Sequence, residues 1–518
     1  MDYALLISSF TEQHRHRGWP RQRLLHECLR AAIRHGTLAA GTRLVATRAL
    51  AAELGVARNT VLYAYEQLAS EGFVTTDRRG TTVVSMAPAH QAAAPAATSP
   101  PQLHAGLSRR ARDLRAPPDA ASMMGAFVTG VPALDHFPLT LWRRMLERAW
   151  RALSTAQLNY ADAAGEPALR EAIADHLRAS RGVVCDAGQV FITDGTQSSL
   201  DLCCRAFADD GDTVWLENPG YGGALAAARG AGLNVAGIDV DDDGIAPGAD
   251  DWLLRPPRLI YTTPSHQYPT GSVLSLRRRL ALIESARAAG ALIIEDDYDS
   301  EFRYDGAPLS AMQGLAPDAP VLYLGTFSKT MFPSLRLAFV VVPEGLAAPL
   351  ARMRAQSAAR GRVAEQLALA EFLRSGQFAL HLRRMRRLYR QRRDALIAAV
   401  RRHVGVIATV HGASAGMHLA LRFHDEALDD AAISAQARQR GIVAHALSAQ
   451  RTQGAGGWNG LMLGYAQVPA EQMDGLVREL AAALHPAAHA DAGADSTSAG
   501  PATAAAAGSS VATAATST

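Results

Sequence analysis

Six short apolar runs in the middle of the chain constrain the fold more than any other feature. They are VFITDG, TVWLEN, RLIYTTPS, ALIIEDDY, VLYLGTF and LRLAFVVV. The runs are continuous rather than alternating, which is typical of strands that are buried on both faces. Helix-length segments such as SSLDLCCRAFA and SLRRRLALIESARAAG separate several of them. This arrangement predicts an α/β body with a mostly parallel central sheet flanked by helices.

Composition and pattern divide the 518 residues into four parts. Residues 12–85 show helical patterns followed by a hairpin, and residues 86–121 form a Pro/Ala-rich linker. Residues 122–485 form the α/β body, whose C-terminal end is expected to be a smaller α+β lobe. Residues 486–518 are Ala-rich without periodicity, so we expect a disordered tail there.

Composition also excludes several classes of protein. The four cysteines lack the spacing of a metal site or a disulfide framework. No run is long and apolar enough for a transmembrane helix, and the N-terminus lacks the apolar core of a signal peptide. We therefore expect a cytoplasmic protein with free thiols, no membrane partner and no metal ion.

Residues 12–85 predict a winged helix-turn-helix. Three helical patterns are followed by FVTT, the turn DRRG and TTVV, and Thr47 is expected to cap the second helix. Ala51, Gly55 and Val61 have the size and spacing that two helices need to cross at a tight turn.

This module is basic: positions 11 to 80 contain eleven arginines and six acidic residues, although the net charge of the chain is only +3. Concentrated positive charge on this fold predicts double-stranded operator DNA as the partner. The second helix of the turn would enter the major groove, while arginines at its flanks would hold the backbone. The expected DNA-binding residues are Arg48, Arg58, Asn59, Thr60, Arg78 and Arg79. A small helical interaction domain with surface arginines is the alternative.

Lysine is nearly absent from this chain, yet one follows an apolar run in VLYLGTFSKTMFPSLRLAFVVVP. A charged lysine at the end of a buried strand is costly, whereas burial lowers its pKa and makes the amine nucleophilic toward a carbonyl. A pyridoxal 5'-phosphate (PLP) site requires such a lysine together with an anion, a ring-stacking partner and a phosphate-binding turn. Lys329 is therefore the candidate for a Schiff base with PLP.

Residues of the other required types follow neighbouring runs. Asp296 could pair with the pyridine nitrogen and Tyr298 could reach the ring hydroxyl, although two aspartates at a strand end are more often a solvated loop or a magnesium site. Tyr221 could stack on the ring or be an ordinary packed aromatic residue. The candidate phosphate-binding residues and nearby donors are Gly195, Thr196, Gln197, Thr326, Ser328 and Arg336.

Five motifs occur in the order TDGTQ, NPGY, TPSHQYPTG, EDDY and GTFSKTMFPSLR. Over residues 125–480 they resemble the fold-type I aminotransferase family, and GTRLVATRALAAELGVARNTVLYAYEQLASEGFV resembles the GntR-type winged helix. The whole layout resembles MocR/GabR-type transcriptional regulators. This resemblance implies a Schiff base with PLP at Lys329, an Asp296 carboxylate that keeps the pyridine nitrogen protonated, and a homodimer to which residues 158–182 contribute.

The body departs from the aminotransferase pattern at three positions. Tyr268 replaces the usual asparagine at the ring oxygen, and Met462 and Gly223 stand where arginines that grip an α-carboxylate are expected. Losing such a bidentate contact costs on the order of a few kcal/mol. We therefore expect an effector other than a standard α-amino acid, namely an amine, a sulfonate or a B6 vitamer, with Arg451 as the candidate substitute clamp.

These features together predict a PLP-dependent transcriptional regulator. It would sense a small amine-type or B6-related ligand through Schiff-base exchange at Lys329. An active aminotransferase with an accessory DNA-binding domain is one alternative, and a repressor with a vestigial cofactor site is another.

One further segment is strongly basic. Residues 383–393 contain seven arginines in a helical pattern. They are either a second DNA-contacting surface or, as we favour, a solvated helix face with internal ion pairs.

Overall fold

The structure, a computed structural model, describes residues 2–77, 80–84, 106–112, 124–306, 309–357, 361–454 and 457–484. The predicted tail, residues 486–518, lies outside these ranges, as does the predicted linker, residues 86–121, apart from residues 106–112. The chain divides into two compact units, Met1–Ala105 and Gly106–Thr518.

The first unit is a winged helix-turn-helix with one additional helix at its start. Its elements are α1 (Tyr3–Gln13), α2 (Arg21–Arg34), α3 (Thr47–Leu54), α4 (Arg58–Ser70), β1 (Val74–Asp77) and β2 (Gly80–Val83). The antiparallel pairing of β1 with β2 confirms the predicted hairpin. Helix α1 was not predicted, and its Tyr3 is buried in the same core as Leu29, Leu50 and Leu68.

The turn between α3 and α4 has the predicted geometry. Gly55 has a φ of 61°, a left-handed conformation that glycine adopts without strain, and Ala51 and Val61 are buried. The prediction that Thr47 caps α3 is wrong. The carbonyl of Ala46 already accepts a hydrogen bond from the Leu50 amide, so the helix begins at Thr47 itself.

An eight-stranded sheet forms the centre of the second unit. Its strands are β3 (Val190–Thr193), β4 (Thr213–Asn218), β5 (Asn234–Asp241), β6 (Gly244–Ile245), β7 (Leu259–Thr262), β8 (Leu292–Asp297), β9 (Val321–Thr326) and β10 (Ala338–Val341). The order across the sheet is β3-β10-β9-β8-β7-β4-β5-β6. The run from β9 to β5 is parallel, which confirms the mostly parallel sheet, and β10 is antiparallel to both neighbours.

Burial explains which strands the sequence revealed. All six apolar runs are strands of this sheet, and every residue of β3, β7, β9 and β10 is buried. Strand β5 was missed because it lies near the edge of the sheet, where buried and exposed residues alternate.

Helices cover both faces of the sheet, as in other α/β folds. Leu200 of one helix packs with Leu216 and Leu324 on one face, whereas Ile283 of another packs with Ile293 on the opposite face. The helices of this unit are α5 (Arg109–Arg112), α6 (Leu139–Ala152), α7 (Pro167–Arg181), α8 (Thr196–Phe207), α9 (Gly222–Gly230), α10 (Ala249–Leu254), α11 (Leu276–Ala289), α12 (Glu344–Ser357), α13 (Val363–Arg374), α14 (Gln377–His403), α15 (Asp430–Gln439) and α16 (Met473–Leu484).

The C-terminal part of this unit is a smaller α+β lobe. Its antiparallel sheet has the order β11-β12-β14-β13. The strands are β11 (Ala408–His411), β12 (His418–Phe423), β13 (His445–Ala446) and β14 (Gly460–Gly464). Within the described ranges, no helix has the length and apolar character needed to cross a membrane.

Candidate functional site

One cavity of about 190 Å³ collects most of the predicted site residues. It lies at the carboxyl ends of β7, β8 and β9, where open α/β sheets usually bind ligands. His418, from the small lobe, lies on its wall. The predicted residues that line it are Thr196, Gln197, Tyr221, Asp296, Tyr298, Ser328, Lys329 and Arg336.

Lys329 is the only lysine in the sequence. It stands in the turn that follows β9, and its Nζ donates a hydrogen bond to the Gly130 carbonyl at 2.8 Å. Burial lowers the pKa of its amine, while the nearby carboxylates of Asp299 and Asp296 oppose that shift. The amine is therefore closer to its neutral, nucleophilic form than an exposed lysine would be.

The carboxylate of Asp296 has one oxygen available to a ligand. Its Oδ2 accepts a hydrogen bond from the Tyr261 hydroxyl at 2.9 Å, whereas its buried Oδ1 has no partner among the described residues. Burial raises the pKa of Asp296 to about 7. A cation placed against Oδ1 would satisfy that oxygen and favour the charged carboxylate.

Asp297 differs from Asp296 in its partners, although its buried Oδ1 also has no hydrogen-bond partner among the described residues. Its Oδ2 accepts hydrogen bonds from Arg181 at 2.7 Å and from the Tyr323 hydroxyl at 2.6 Å. This buried ion pair joins the end of α7 to the end of β8. Asp296 and Asp297 are both 4% exposed, which excludes the alternative of a solvated loop at this position.

The start of α8 and Arg336 form an anion-binding corner of the cavity. The first amides of a helix have no intrahelical acceptor, so those of Thr196 and Gln197 are available to an anion. Gly195 precedes them with a φ of 98°, and a Cβ at that position would lie 2.7 Å from the Arg336 guanidinium carbon. Glycine is thus required both by the backbone conformation and by the approach of Arg336.

Thr326 lies at the end of β9, and its predicted contact with the cofactor stays a prediction. It is not among the residues that line the cavity, and its Oγ1 accepts a hydrogen bond from the Ser328 amide at 3.2 Å. This contact shapes the turn that presents Ser328 and Lys329.

Three tyrosines surround the centre of the cavity. Tyr268 makes edge-to-face contacts with Tyr221 and Tyr298, with ring centroids 5.7 and 6.3 Å apart. Tyr268, expected to replace an asparagine, does line the cavity. Its position beside Tyr221 is an arrangement that aromatic pairs favour.

A buried polar network holds the loops that carry these tyrosines. Glu217 accepts hydrogen bonds from Thr262 and Thr263 at 2.6 and 2.7 Å and from Gln267 at 3.1 Å. The Gln267 amide also donates to the Pro219 carbonyl at 2.9 Å. The loops before Tyr221 and Tyr268 are therefore tied together by buried hydrogen bonds.

The sequence analysis missed several residues of the cavity. Gly130, Tyr261, Thr263, Asp299, Pro333, Met417 and His418 also line it. His266, just behind it, lies with Asp299 and His418 so that nitrogen and oxygen atoms of the three are within 4.8 Å of one another. For His266 the available signal was its position in the motif TPSHQYPTG, directly before Gln267 and Tyr268.

Met462 and Gly223, where arginines were expected, are both closely packed against neighbouring residues. Met462 is fully buried in a cluster that includes Trp458 and contacts Tyr268. A Cβ at Gly223 would lie 2.4 Å from the Tyr221 ring, so no side chain fits there. Arg451, the candidate substitute clamp, lines a separate cleft of about 490 Å³.

The DNA-binding candidates of the first unit lie at the starts of two helices. Arg58 and Asn59 are exposed and Thr60 is half-buried at the start of α4, and Arg48 is exposed in the first turn of α3. The predicted contacts Arg78 and Arg79 lie outside the described residues. Arg43, which was not predicted, packs over Gly80 beside the same hairpin.

The basic segment at residues 383–393 is part of α14. Arg386 and Arg390 donate hydrogen bonds to carbonyls of Glu301 and Tyr304, and Arg393 forms a 2.7 Å ion pair with Asp305. These contacts favour the interpretation of internal pairing for part of the segment. Its other exposed arginines are Arg383, Arg384 and Arg387.

The sequence matches two families of known proteins. Residues 127–480 match the family described as aminotransferase class I and II, and residues 22–84 match the family described as bacterial regulatory proteins, gntR family. These matches cover the α/β body and the winged helix respectively.

Relatives that span both parts carry the names of regulators. The chain is 40% identical over 458 residues to "Probable rhizopine catabolism regulatory protein MocR" of Rhizobium meliloti, covering 88% of this chain and 92% of the relative. It is 33% identical over 374 residues to the "HTH-type pyridoxine biosynthesis transcriptional regulator PdxR" of Corynebacterium glutamicum, covering 71% and 76%.

The body also resembles a solved enzyme. The α-aminoadipate aminotransferase LysN of Thermus thermophilus, complexed with N-(5'-phosphopyridoxyl)-L-leucine, has a TM-score of 0.66 and 28% identity, covering 73% of this chain and 97% of that one. The chain belongs to the MocR/GabR-type transcriptional regulators, in which a GntR-type winged helix precedes an aminotransferase class I/II domain.

Proposed function

We propose that this regulator binds PLP at Lys329 and operator DNA through its winged helix. A small amine-type or B6-related ligand would displace Lys329 by Schiff-base exchange and change the affinity for DNA. The observation that carries the proposal is the placement of the only lysine in one cavity with the unpartnered oxygen of Asp296 and the anion-binding corner at Arg336.

The residues of the cavity fit this cofactor. When bound, PLP supplies an aldehyde that links to a primary amine. Asp296 Oδ1 would hold the protonated pyridine nitrogen, and the amides at the start of α8 together with Arg336 would hold the phosphate. Tyr221 would pack against the ring, and Tyr298 would donate to the ring oxygen.

The chain's own groups prepare Lys329 for reaction. Burial favours the neutral amine, which is the nucleophilic form. The Gly130 carbonyl holds Nζ at 2.8 Å and so fixes the direction of the side chain. The carboxylates of Asp299 and Asp296 favour positive charge at this position.

The cavity walls support an effector without an α-carboxylate. Among the described residues that line it, only Lys329 and Arg336 carry basic side chains other than histidine, and both are engaged by the cofactor in this proposal. Burial lowers the pKa of His418 to about 3, so this histidine is neutral. The remaining charge on the wall is the Asp299 carboxylate, which would repel an acidic ligand.

Names of relatives agree with such ligands. MocR is named for rhizopine catabolism and PdxR for pyridoxine biosynthesis. Titration of the cofactor's absorption band with α-amino acids, simple amines, sulfonates and B6 vitamers tests this point. A robust shift with ordinary α-amino acids at micromolar concentration would contradict it.

A homodimer is part of the proposal. Leu158 and Tyr160 begin the segment that resembles a dimer-forming region, and they are 68% and 89% exposed. Large apolar side chains this exposed are consistent with a surface that another chain covers. Light scattering during gel filtration should give twice the 55.0 kDa mass of the chain.

An active aminotransferase is the second candidate function, because Lys329, Asp296 and Tyr298 together retain the groups of a working site. The two functions differ in turnover. A sensor converts each cofactor at most once, whereas an enzyme continues to release a carbonyl product from the amine.

DNA binding with the cofactor loaded tests the proposed function directly. Fluorescence anisotropy would measure affinity for DNA upstream of the protein's own gene, with and without candidate amines. We expect an amine to change the affinity of the wild type but not that of Lys329→Ala. An equal response of the two proteins would contradict the proposal.

A further inference from the structure

Three polar side chains, those of His266, Asp299 and Tyr298, are connected by hydrogen bonds at one wall of the cavity. Tyr298 and Asp299 line the cavity, whereas His266 lies behind them and has no role among the groups assigned to the cofactor. His266 Nδ1 lies 3.1 Å from Asp299 Oδ2 and 3.1 Å from the Tyr298 hydroxyl. The side chains of His266 and Asp299 are 0% and 2% exposed. Because His266 and Asp299 are buried, the protein's own groups determine where each hydrogen lies.

Two observations place the imidazole hydrogen on Nδ1. An ionised Asp299 can only accept, so Nδ1 must donate to it. His266 Nε2 is buried without a partner in the part of the chain that the structure describes, and it faces backbone near Gly271 and Gly412. A hydrogen on Nε2 would be a buried, unsatisfied donor, which costs more than a bare acceptor.

This tautomer determines what the Tyr298 hydroxyl can do. Because Nδ1 carries a hydrogen, it cannot accept from Tyr298; instead, Nδ1–H is shared between Asp299 Oδ2 and the phenol oxygen. The phenol hydrogen is then free to point into the cavity that Tyr298 lines. A hydrogen bond received by the phenol oxygen also makes the phenol a stronger donor.

The surroundings keep Tyr298 a phenol rather than a phenolate. Burial raises its pKa well above the usual value, and nearby acidic groups act in the same direction. The titratable and charged groups that face this part of the cavity are Glu217, His266, Tyr268, Asp296, Asp299, Lys329 and His418.

We propose that His266, oriented by Asp299, is a positioning residue that directs the Tyr298 hydroxyl hydrogen at the ring oxygen of the cofactor. The inference rests on the proposed cofactor at Lys329. With the cofactor bound at Lys329, a hydrogen bond donated by Tyr298 to the ring oxygen would lower that oxygen's affinity for a proton. Losing this bond would therefore raise the pH at which the bound cofactor gives up its proton.

The test is a pH titration of the visible cofactor band in the full chain loaded with PLP. Tyr298→Phe removes the donor and should raise the midpoint on the order of one pH unit. His266→Leu leaves the phenol undirected and should raise it by roughly half as much. His266→Asn keeps an N–H donor near the position of Nδ1 and should restore a midpoint close to that of the wild type.

Additivity separates positioning from a general effect on the site. In combination with Tyr298→Phe, His266→Leu should cause no further shift, because it acts through the phenol. Asp299→Asn also removes a negative charge near Lys329, which by itself lowers the midpoint. The positioning role adds an upward component, so this substitution should lower the midpoint more when Tyr298→Phe is present than when it is absent.

The surface pair His403 and Asp474, 3.0 Å apart, provides a matched control. His403→Leu should leave the midpoint unchanged. If His266→Leu does not fold, His266→Gln, whose amide lies toward Nε2, should show the same upward shift.

Three results would overturn the inference. The first is an unmoved midpoint in His266→Leu, and the second is an equal shift with and without Tyr298→Phe. The third is a stoichiometric divalent metal in the purified wild type that His266→Leu releases. Absence of a cofactor band in the wild type would overturn the proposed function as well, whereas a normal wild-type band with an unmoved variant midpoint would overturn this inference alone.

Discussion

The winged-helix unit and the α/β body place their candidate functional residues in opposite ways. Arg58, Asn59 and Thr60 are consecutive at one helix start, and two of them are exposed. The residues around the body's cavity come from distant segments between Gly130 and His418, and the strand ends that carry them are buried.

The choice of basic residue follows the same division. Arginine remains protonated at ordinary pH and forms paired contacts with phosphates, which suits an exposed surface for DNA. The only lysine lies in the body, where burial lowers its pKa and where an imine can form. A substitution in the winged-helix unit should therefore impair DNA binding and leave cofactor binding unchanged, and a substitution at the cavity should do the reverse.

Replacing Lys329 gives the largest expected effect. Lys329→Ala should abolish the visible cofactor band, and Lys329→Arg should do the same although it keeps the positive charge, because arginine forms no imine. Without any amine, DNA affinity measured by anisotropy should stay within about two-fold of the wild type, since no DNA contact is removed. Loss of DNA binding in the correctly folded Lys329→Arg variant would contradict the separation of DNA binding from the cofactor site.

The reciprocal substitution is Arg58→Ala. Loss of a base or phosphate contact at the start of α4 should weaken DNA binding by about 10- to 100-fold, which corresponds to 1–3 kcal/mol. The cofactor band should be unchanged. The control is Arg205→Ala, which removes an exposed arginine of the body that pairs with Asp201. Equal losses of DNA affinity in the two variants would contradict the assignment of Arg58.

Gly195→Ala tests the anion-binding corner on its own. The new Cβ would lie 2.7 Å from the Arg336 guanidinium carbon, so the phosphate contacts should be displaced and PLP affinity should fall by roughly 10-fold. Gly211→Ala is a matched control, since Gly211 has a similar φ of +90° but nothing within 4 Å. The PLP dissociation constant, measured by fluorescence, should be higher for Gly195→Ala than for Gly211→Ala. Equal constants would mean that backbone strain, rather than the contact with Arg336, determines PLP affinity.

The last prediction concerns the stability of the cofactor-free protein rather than binding. Burial raises the pKa of Asp296 from 3.8 to about 7, so the folded state holds a proton that the unfolded state has lost in this interval. The contribution of this group to the free energy of unfolding therefore falls as pH rises from about 4 to about 7, by a few kcal/mol at most. Asp296→Asn cannot titrate, and its Tm should fall less over that range.

Other carboxyls, Glu217 among them, have the same sign of dependence. Burial raises the pKa of Glu295 to about 7 and that of Glu301 to about 8, and both remain in the Asp296→Asn variant. The difference in Tm slope between wild type and variant thus isolates Asp296. Equal slopes of Tm against pH in the wild type and the variant would contradict the raised pKa of Asp296.

Local patterns in the sequence were sufficient for the sheet and for the main anchors of the site. Continuous apolar runs identified the strands that are buried on both faces, and motifs at their ends pointed to Lys329, Asp296 and Arg336. Residue type distinguished these positions: Asp296 lies near the end of β8, Lys329 in the turn after β9 and Arg336 shortly before β10. Strand β5, near the edge of the sheet, and helix α1 lack such a strong pattern.

Contacts between distant segments were beyond the sequence. His266 and Asp299 are 33 residues apart, and only the fold shows that they share a hydrogen bond. The sequence predicted that Arg451 lies beside the cofactor cavity, but it lines another cleft. The residues after it, Thr452 and Gln453, form hydrogen bonds with β4 and β5 and hold its loop there. Thr326 has the right residue type, and only the fold shows that its hydroxyl accepts a hydrogen bond from the Ser328 amide.

Borohydride reduction of the PLP-loaded chain tests the central claim most directly, because the sequence offers one lysine and an α-amino group as amine sites. Reduction fixes any imine as a stable bond, and intact mass followed by peptide mass spectrometry locates it. We expect one pyridoxyl group per chain, on Lys329, and a reduced yield of this adduct when the effector amine is added first. Absence of the adduct, or its location on the N-terminus, would contradict the proposed Schiff base at Lys329.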